Sequence, residues 1–220
     1  MTSMPTPEIQ KENLRRALKQ ERRKLSAEAW QQRSLRIASR LFETKAFQTA
    51  RTVHCYLASV EKREVDTDAI LKELWRRGCT VFAPVVTSGA PDALGELGHV
   101  EIDAHTAFEV STFGIREPSA RLDKPDITLA TDELKIDVVI DIVIMPLLAC
   151  DRRGNRVGYG HGYYDRFLAK LHRAGCKPLC LGLAFDFQVV SSVPAVDNEL
   201  HRDQPLDMIL TESEVIVVKS

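Results

Sequence analysis

The chain has no CxxC pair and an odd number of cysteines. Cys55, Cys79, Cys150, Cys176 and Cys180 do not suggest a disulfide framework and are expected as reduced thiols of a cytosolic protein. Three of them lie in or beside apolar runs, where cysteine acts as a small core residue. Charge of one sign is not in excess: the formal net charge is −1, which argues against bulk nucleic-acid binding. The first ten residues contain prolines and polar side chains and no apolar stretch, so no secretory signal is expected. No hydrophobic run is long enough to cross a bilayer. The longest, Val138 to Ala149, is short and contains Asp141. Internal repeats and an interdomain linker are missing as well.

The 220 residues, 44% of them apolar, are enough to bury a proper core. Leu14, Ala17, Leu18 and Leu25 recur at helical spacing after Lys11. Ser26 can cap a second helix reaching about Phe42. Thr52 to Leu57 is a short strand, Asp66 or Thr67 can cap a helix to Arg77 closed by Gly78, and Cys79 to Pro84 is a strand bounded by proline. Residues 87–98 read as a loop, His99 to Ile102 as a strand in a hairpin-like excursion, Phe113 to Pro118 as a loop and 119–135 as a polar connection. Ile136 to Met145 and Leu179 to Phe185 are apolar runs typical of central parallel strands, with late strands at Met208 to Leu210 and Val215 to Val218. This alternation predicts the α/β class: one three-layer α/β/α domain over residues 11–220 with a mainly parallel sheet and an N-terminal helical segment, after a disordered tail over residues 1–10.

Between the apolar run ending at Met145 and a helical pattern from Tyr163 to Leu171 lies a glycine-rich connection, with glycines at 154, 158, 160 and 162. Such a loop lets backbone N–H groups approach an anion, and the helix N-terminus adds partial positive charge. The interleaved arginines supply counter-charge for phosphate oxygens. No Gly-Lys-Ser/Thr follows, so this is not a Walker A loop. No acidic residue ends a neighbouring strand about 20 residues on, so it is not the dinucleotide fingerprint. A plain turn is the bland reading, set against a crowd of glycine, arginine, tyrosine and aspartate in one connection.

Loops at the carboxyl ends of parallel strands bind ligands in such folds. Carboxylates there, beside a phosphate loop, suit Mg²⁺, and Asp165 and Asp203 are the candidates; a cap or surface turn is the alternative for each. Seven basic and two acidic residues fall between Lys11 and Lys24. Lys11 and Arg15 are four apart and share a face that can hold a phosphate, or be simply solvated. His161 is a candidate general base or an ordinary surface histidine, whereas His54 and His172 read as structural.

Pro146…Asp151-x-x-Gly154-x-Arg156-Val-Gly158-Tyr-Gly160-x-Gly162-Tyr163-Tyr164-Asp165-Arg166 resembles the signature of the 5-formyltetrahydrofolate cyclo-ligase family. Lys11-x-x-x-Arg15, Glu64-Val-x-Thr67, Phe113-Gly-Ile-Arg116-Glu117-Pro118, and Val193-Pro194 with Arg202-Asp203 resemble its outer segments, so the likeness covers nearly the whole chain. Cys150, His161, Arg116 and Arg202 depart from the usual pattern, where phenylalanine, glycine or lysine, proline and histidine are common. The resemblance implies Mg²⁺-dependent use of ATP to convert 5-formyltetrahydrofolate to 5,10-methenyltetrahydrofolate. It implies an ATP site of Lys11, Arg15, Arg153, Gly154, Asn155, Arg156, Val157, Gly158, Tyr159, Gly160, His161, Gly162, Tyr163 and Tyr164. The implied substrate residues are Ser59, Glu64, Ile115, Glu117 and Tyr163, the metal residues Asp165 and Asp203, and the catalytic residues Arg156 and Tyr163. The expected partners are small molecules, with neither nucleic acid nor membrane, for a cytoplasmic monomer. Another ATP-dependent ligase or kinase, and a ligand-sensing or RNA-associated module, are the competing readings.

Overall fold

The computed structural model describes residues 5–86, 97–110, 116–118, 139–194 and 204–218. Its helices are α1 (Pro7–Arg23), α2 (Ala27–Glu43), α3 (Lys45–Thr49), α4 (Asp68–Arg76) and α5 (Tyr163–Arg173). Its strands are β1 (Thr52–Cys55), β2 (Thr80–Val86), β3 (Leu97–Ile102), β4 (Phe108–Val110), β5 (Arg116–Pro118), β6 (Ile142–Met145), β7 (Ala149–Asp151), β8 (Arg156–Val157), β9 (Leu179–Leu183), β10 (Val189–Val190), β11 (Met208–Leu210) and β12 (Val215–Val217).

The main sheet runs β12-β11-β9-β6-β1-β2-β3. Its five inner strands are parallel, and β12 and β3 close the edges antiparallel. The inner strands are buried on both faces, as β6 shows with four consecutive buried residues. His54 on β1 meets Tyr164 and Phe167 of α5. Strand alternation turns its neighbours Val53 and Cys55 to the opposite face, and all three are fully buried. The α/β class with a mainly parallel sheet is what the residue pattern predicts.

Local chemistry explains the element boundaries. Ser26 Oγ accepts the Ala29 N–H at 3.1 Å and starts α2. At α4 the N-cap position is Thr67, whose hydroxyl donates to Tyr56 O instead of capping; the Asp66 carboxylate one residue earlier accepts the Asp68 N–H at 3.1 Å. Asp141, the one charge in the longest apolar run, accepts the N–H groups of Arg51 and Thr52 at the start of β1.

Several boundaries differ from expectation. Residues 7–10 are not tail: Pro7 opens α1, and Thr6 Oγ1 accepts the Ile9 N–H. Pro84 lies inside β2, past the segment Thr80 to Phe82 that pairs with β1, where a missing N–H is tolerated. β6 occupies only the last four residues of its apolar run. Arg116–Pro118 is a strand paired with Phe108–Val110, not a loop. β3 begins at Leu97, so the last two residues of the loop expected over 87–98 are strand; the rest of that loop, the connection at 119–135 and residues 1–4 lie outside the described residues.

α1 does not pack on the main sheet. A second sheet, β10-β7-β8, carries a small apolar cluster of Ala149, Val157 and Val193, and Leu18 of α1 joins it with Leu14 against it. This docking brings the basic helix to the glycine segment.

Candidate active site

The glycine segment is not one loop. Its first half is a β-hairpin, with β7 and β8 joined by a turn over residues 152–155. Gly154 has φ +86°, and a Cβ placed there would sit 2.5 Å from Leu206 O, so only glycine fits. Asp151 is wholly buried at the base of the turn. Its carboxylate accepts the N–H groups of Arg153, Asn155 and Val193 and the Asn155 amide at 2.9–3.2 Å. Burial alone would raise its pKa, but the bonds from Asn155, Val193 and Arg153 outweigh it and hold the carboxyl below its usual value. Asn155 is spent on this staple, Val157 is core, and Arg153 reaches Ser192 Oγ at 3.1 Å.

The second half, residues 158–162, leads straight into α5. Gly160 has φ +101°. Gly162, at φ +63°, is the N-cap of α5, and no side chain caps the first turn. Three arginines flank this loop, and one of them, Arg166 of α5, donates through Nη1 to His161 O at 2.9 Å. Arg15 Nε donates to Gly158 O at 3.0 Å, and its guanidinium lies 3.5 Å from where a Gly160 Cβ would be. Arg156 Nη1 lies 3.2 Å from the corresponding point on Gly158. Arg156 is buried and donates through Nη2 to Asp165 Oδ1 at 2.6 Å. Lys11 is 8% exposed and lies one turn before Arg15.

Asp165 also accepts the Gln204 N–H on Oδ1 at 3.0 Å. Among the described residues its Oδ2 has no hydrogen bond, and the side chain is 18% exposed. One carboxylate with an open oxygen beside a phosphate-type loop fits Mg²⁺, which takes few protein ligands and completes its shell with water and phosphate oxygens. It does not fit a self-sufficient protein cage: among the described residues no three His, Cys, Asp or Glu side chains gather. Asp203 and Ile115 lie outside the described residues.

Glu64 is buried, and its carboxylate accepts the Ser59 N–H at 2.8 Å and the Tyr159 hydroxyl. Trp30 Nε1 fixes its backbone by donating to Glu64 O at 2.6 Å. Arg22 Nη2 donates to the Tyr159 hydroxyl oxygen at 2.7 Å. Burial, then the Glu64 charge, pushes the Tyr159 pKa up, so the phenol stays a donor. Glu117 is on β5, whose neighbour Arg116 is ion-paired with Asp68 at the start of α4. Arg116, where proline was expected, thus has an ion-pair partner on α4.

The candidates thus fall into groups. Arg15, Arg156, Gly158, Gly160, Gly162 and Asp165 meet at one loop, with Tyr163 half-buried and His161 exposed beside it, and Lys11 lies one helical turn before Arg15. Tyr164 faces the core against His54, its hydroxyl buried without a partner among the described residues. Tyr159 turns away from the loop toward Glu64. Arg22 was missed in the sequence, although Lys11, Arg15, Leu18 and Arg22 form an i, i+4, i+7, i+11 stripe, and Arg22 is 2% exposed. A cleft of about 390 Å³ bounded by Arg152, Asp186, Val190 and Glu214 contains none of these groups.

The fold is α/β, and a glycine loop with arginines around it at the N-terminus of α5 is an arrangement that suits an anionic ligand. A match to the 5-formyltetrahydrofolate cyclo-ligase family spans residues 7–212, and the chain belongs to that family. It is an enzyme of the ligase class. It is similar to the 5-formyltetrahydrofolate cyclo-ligase of Escherichia coli (strain K12), at 29% identity over 90% of this chain and 98% of the relative. The mouse cyclo-ligase is 26% identical over 89% and 92% of the two chains. The solved 5,10-methenyltetrahydrofolate synthetase of Aquifex aeolicus superposes with a TM-score of 0.71 at 26% identity, covering 96% of this chain and 93% of its own.

Proposed function

We propose that the protein uses Mg-ATP to cyclise 5-formyltetrahydrofolate to 5,10-methenyltetrahydrofolate, releasing ADP and phosphate. The observation that carries this reading is the convergence of Arg15 and Arg156 on one glycine loop at the open start of α5. That arrangement suits a triphosphate, and membership of the family supplies the folate. Five buried thiols without a disulfide among them suit a reducing compartment such as the cytoplasm.

A formamide oxygen is a poor leaving group. Transfer of the terminal phosphoryl group to it gives an iminium phosphate at N5, the N10 amine attacks the activated carbon, and phosphate departs. No protein nucleophile is needed, so the protein acts by positioning and charge neutralisation. Lys11 and Arg15 hold the nucleotide from α1, the backbone of residues 158–162 lies along the phosphates, and Arg156 faces the transferred group with Tyr163 beside it. Asp165 holds Mg²⁺, with Asp203 assigned the same role by the family pattern; the ion supplies charge neutralisation on the phosphates. Ser59, Glu64, Ile115 and Glu117 form the folate side, where the Glu64 carboxylate accepts from pterin N–H groups.

The competing RNA-associated reading would use the outward basic residues Arg16, Arg23 and Lys24, whereas Lys11 and Arg22 on the inward stripe of α1 are buried and cannot serve it. Production of methenyltetrahydrofolate, followed by absorbance with and without Mg-ATP, tests the proposal. Product formation only with both present is expected. ATP hydrolysis stimulated by folate without cyclised product would favour another ligase or kinase. The variant Arg15→Ala should raise the ATP KM and leave the folate KM near wild type; equal ATP KM values would make this arginine a surface charge.

A further inference from the structure

The Glu64 carboxylate is 7% exposed, and both its oxygens already have protein donors. The two donors differ in kind. Ser59 belongs to the same turn as Glu64, whose own N–H donates back to Ser59 O at 3.2 Å, so this partner is fixed. Tyr159 arrives from 95 residues away, between Gly158 and Gly160. A residue flanked by glycines can leave its place through a few backbone dihedrals. The cations around the phenol belong to other elements: Arg22 donates to its oxygen at 2.7 Å, and the Lys19 and Lys62 ammonium groups lie 5.7 and 5.4 Å from the ring centroid. They remain when the phenol leaves.

A buried carboxylate oxygen without a donor is costly, so the free enzyme needs a partner on Glu64 Oε1. The phenol that supplies it occupies the donor position on that oxygen, so a ligand donor to Oε1 must take its place. We propose that Tyr159 is a positioning residue that stands in for the folate in the free enzyme, and that the pterin donor displaces its hydroxyl from Glu64 and so shifts the glycine loop. This inference rests on the reading that Glu64 receives the pterin. Because Arg15 holds Gly158 O, next to Tyr159 in the chain, the displacement is passed to the nucleotide side. Tyr159 thereby belongs to the folate side of the site and reports its occupancy to the phosphate loop.

The test is titration calorimetry of 5-formyltetrahydrofolate, without nucleotide, into wild type, Tyr159→Phe, Glu64→Gln and the double variant. Tyr159→Phe removes the competing donor, and the folate Kd should fall by about five- to tenfold. Glu64→Gln should raise the Kd, and Tyr159→Phe should add nothing in that background. A Kd unchanged or raised in Tyr159→Phe, with Glu64→Gln still weakened, overturns the displacement and leaves the role of Glu64 intact. A Kd unchanged in Glu64→Gln overturns both. Hydrogen exchange of residues 158–162 in the wild type gives a second measurement that needs no variant. Folate alone should speed it, and exchange that stays equal or slows overturns the proposal.

Discussion

Residues 151–157 and residues 158–162 form one glycine-containing connection in the sequence, arginine-rich in its first half and glycine-rich in its second, and the fold treats the two halves differently. In the first stretch three residues are spent on structure: Asp151 collects its donors, Gly154 lies against Leu206 O, and Val157 is core. In the second, the backbone at the start of α5 lacks a side-chain cap, and the arginines lie beside it without filling it. The hairpin is a mount for the loop. A glycine needed for close packing and a glycine needed for ligand approach look the same in one sequence, and only their neighbours separate them.

The sharpest way to break this comparison is to put the same side chain on both halves. Gly154→Val should prevent stable folding, because its Cβ would meet a carbonyl oxygen at a positive φ. Gly160→Val meets only the Arg15 guanidinium, so it should fold, losing about 1–3 kcal/mol from its positive φ, with a raised ATP KM. Thermal melts of the two variants check this, and equal losses would mean that the halves are one structural unit. Next in size, Asp151→Ala should cost about 3 kcal/mol or more by leaving several buried N–H groups unpaired, measured by urea unfolding. Asp165→Asn should leave the melting temperature within a few degrees while turnover falls at least about tenfold and half-saturation by Mg²⁺ moves to higher concentration. Normal Mg²⁺ dependence would reduce Asp165 to an anchor for Arg156.

The smallest expected effect is on pH. His54 and His99 are buried side by side, with Nε2 and Nδ1 2.9 Å apart. Burial holds both neutral, with His99 reinforced by Lys170 and lowered to about 3, and His54 by the neighbouring His99. The unfolded chain takes up protons on these residues below about pH 6.5 and the folded chain does not, so stability is full above that pH and declines as pH falls. Between pH 7 and pH 5.5 each of the two histidines should lower the free energy of unfolding by about 1 kcal/mol. His99→Gln should flatten that slope, and an unchanged slope would place the acid sensitivity elsewhere.

Much of the frame was legible in the residues. The Ser26 cap, Gly78 after α4 and the apolar runs of β6 and β9 each have a local cause, so local pattern was enough. The hairpin was not legible, because β8 is two residues long and carries no periodicity. β4 and β5, three residues each, escape for the same reason. The basic stripe of α1 was visible as charge, but its inward direction depends on a small sheet that forms far along the chain. The contact between Tyr159 and Glu64 has no local signal at all.

That distance has a consequence during synthesis. The surface on which α1 rests, including the carbonyls of Leu147 and Gly158 that Arg22 and Arg15 meet, is encoded 125 to 143 residues after the helix itself. At about 5–20 residues per second, the helix leaves the ribosome roughly 6–30 seconds before its seat exists. During that interval Leu14 and Leu18 have nothing to cover them. A nascent chain halted at residue 140 should therefore expose α1 to protease, whereas one released at full length should protect it.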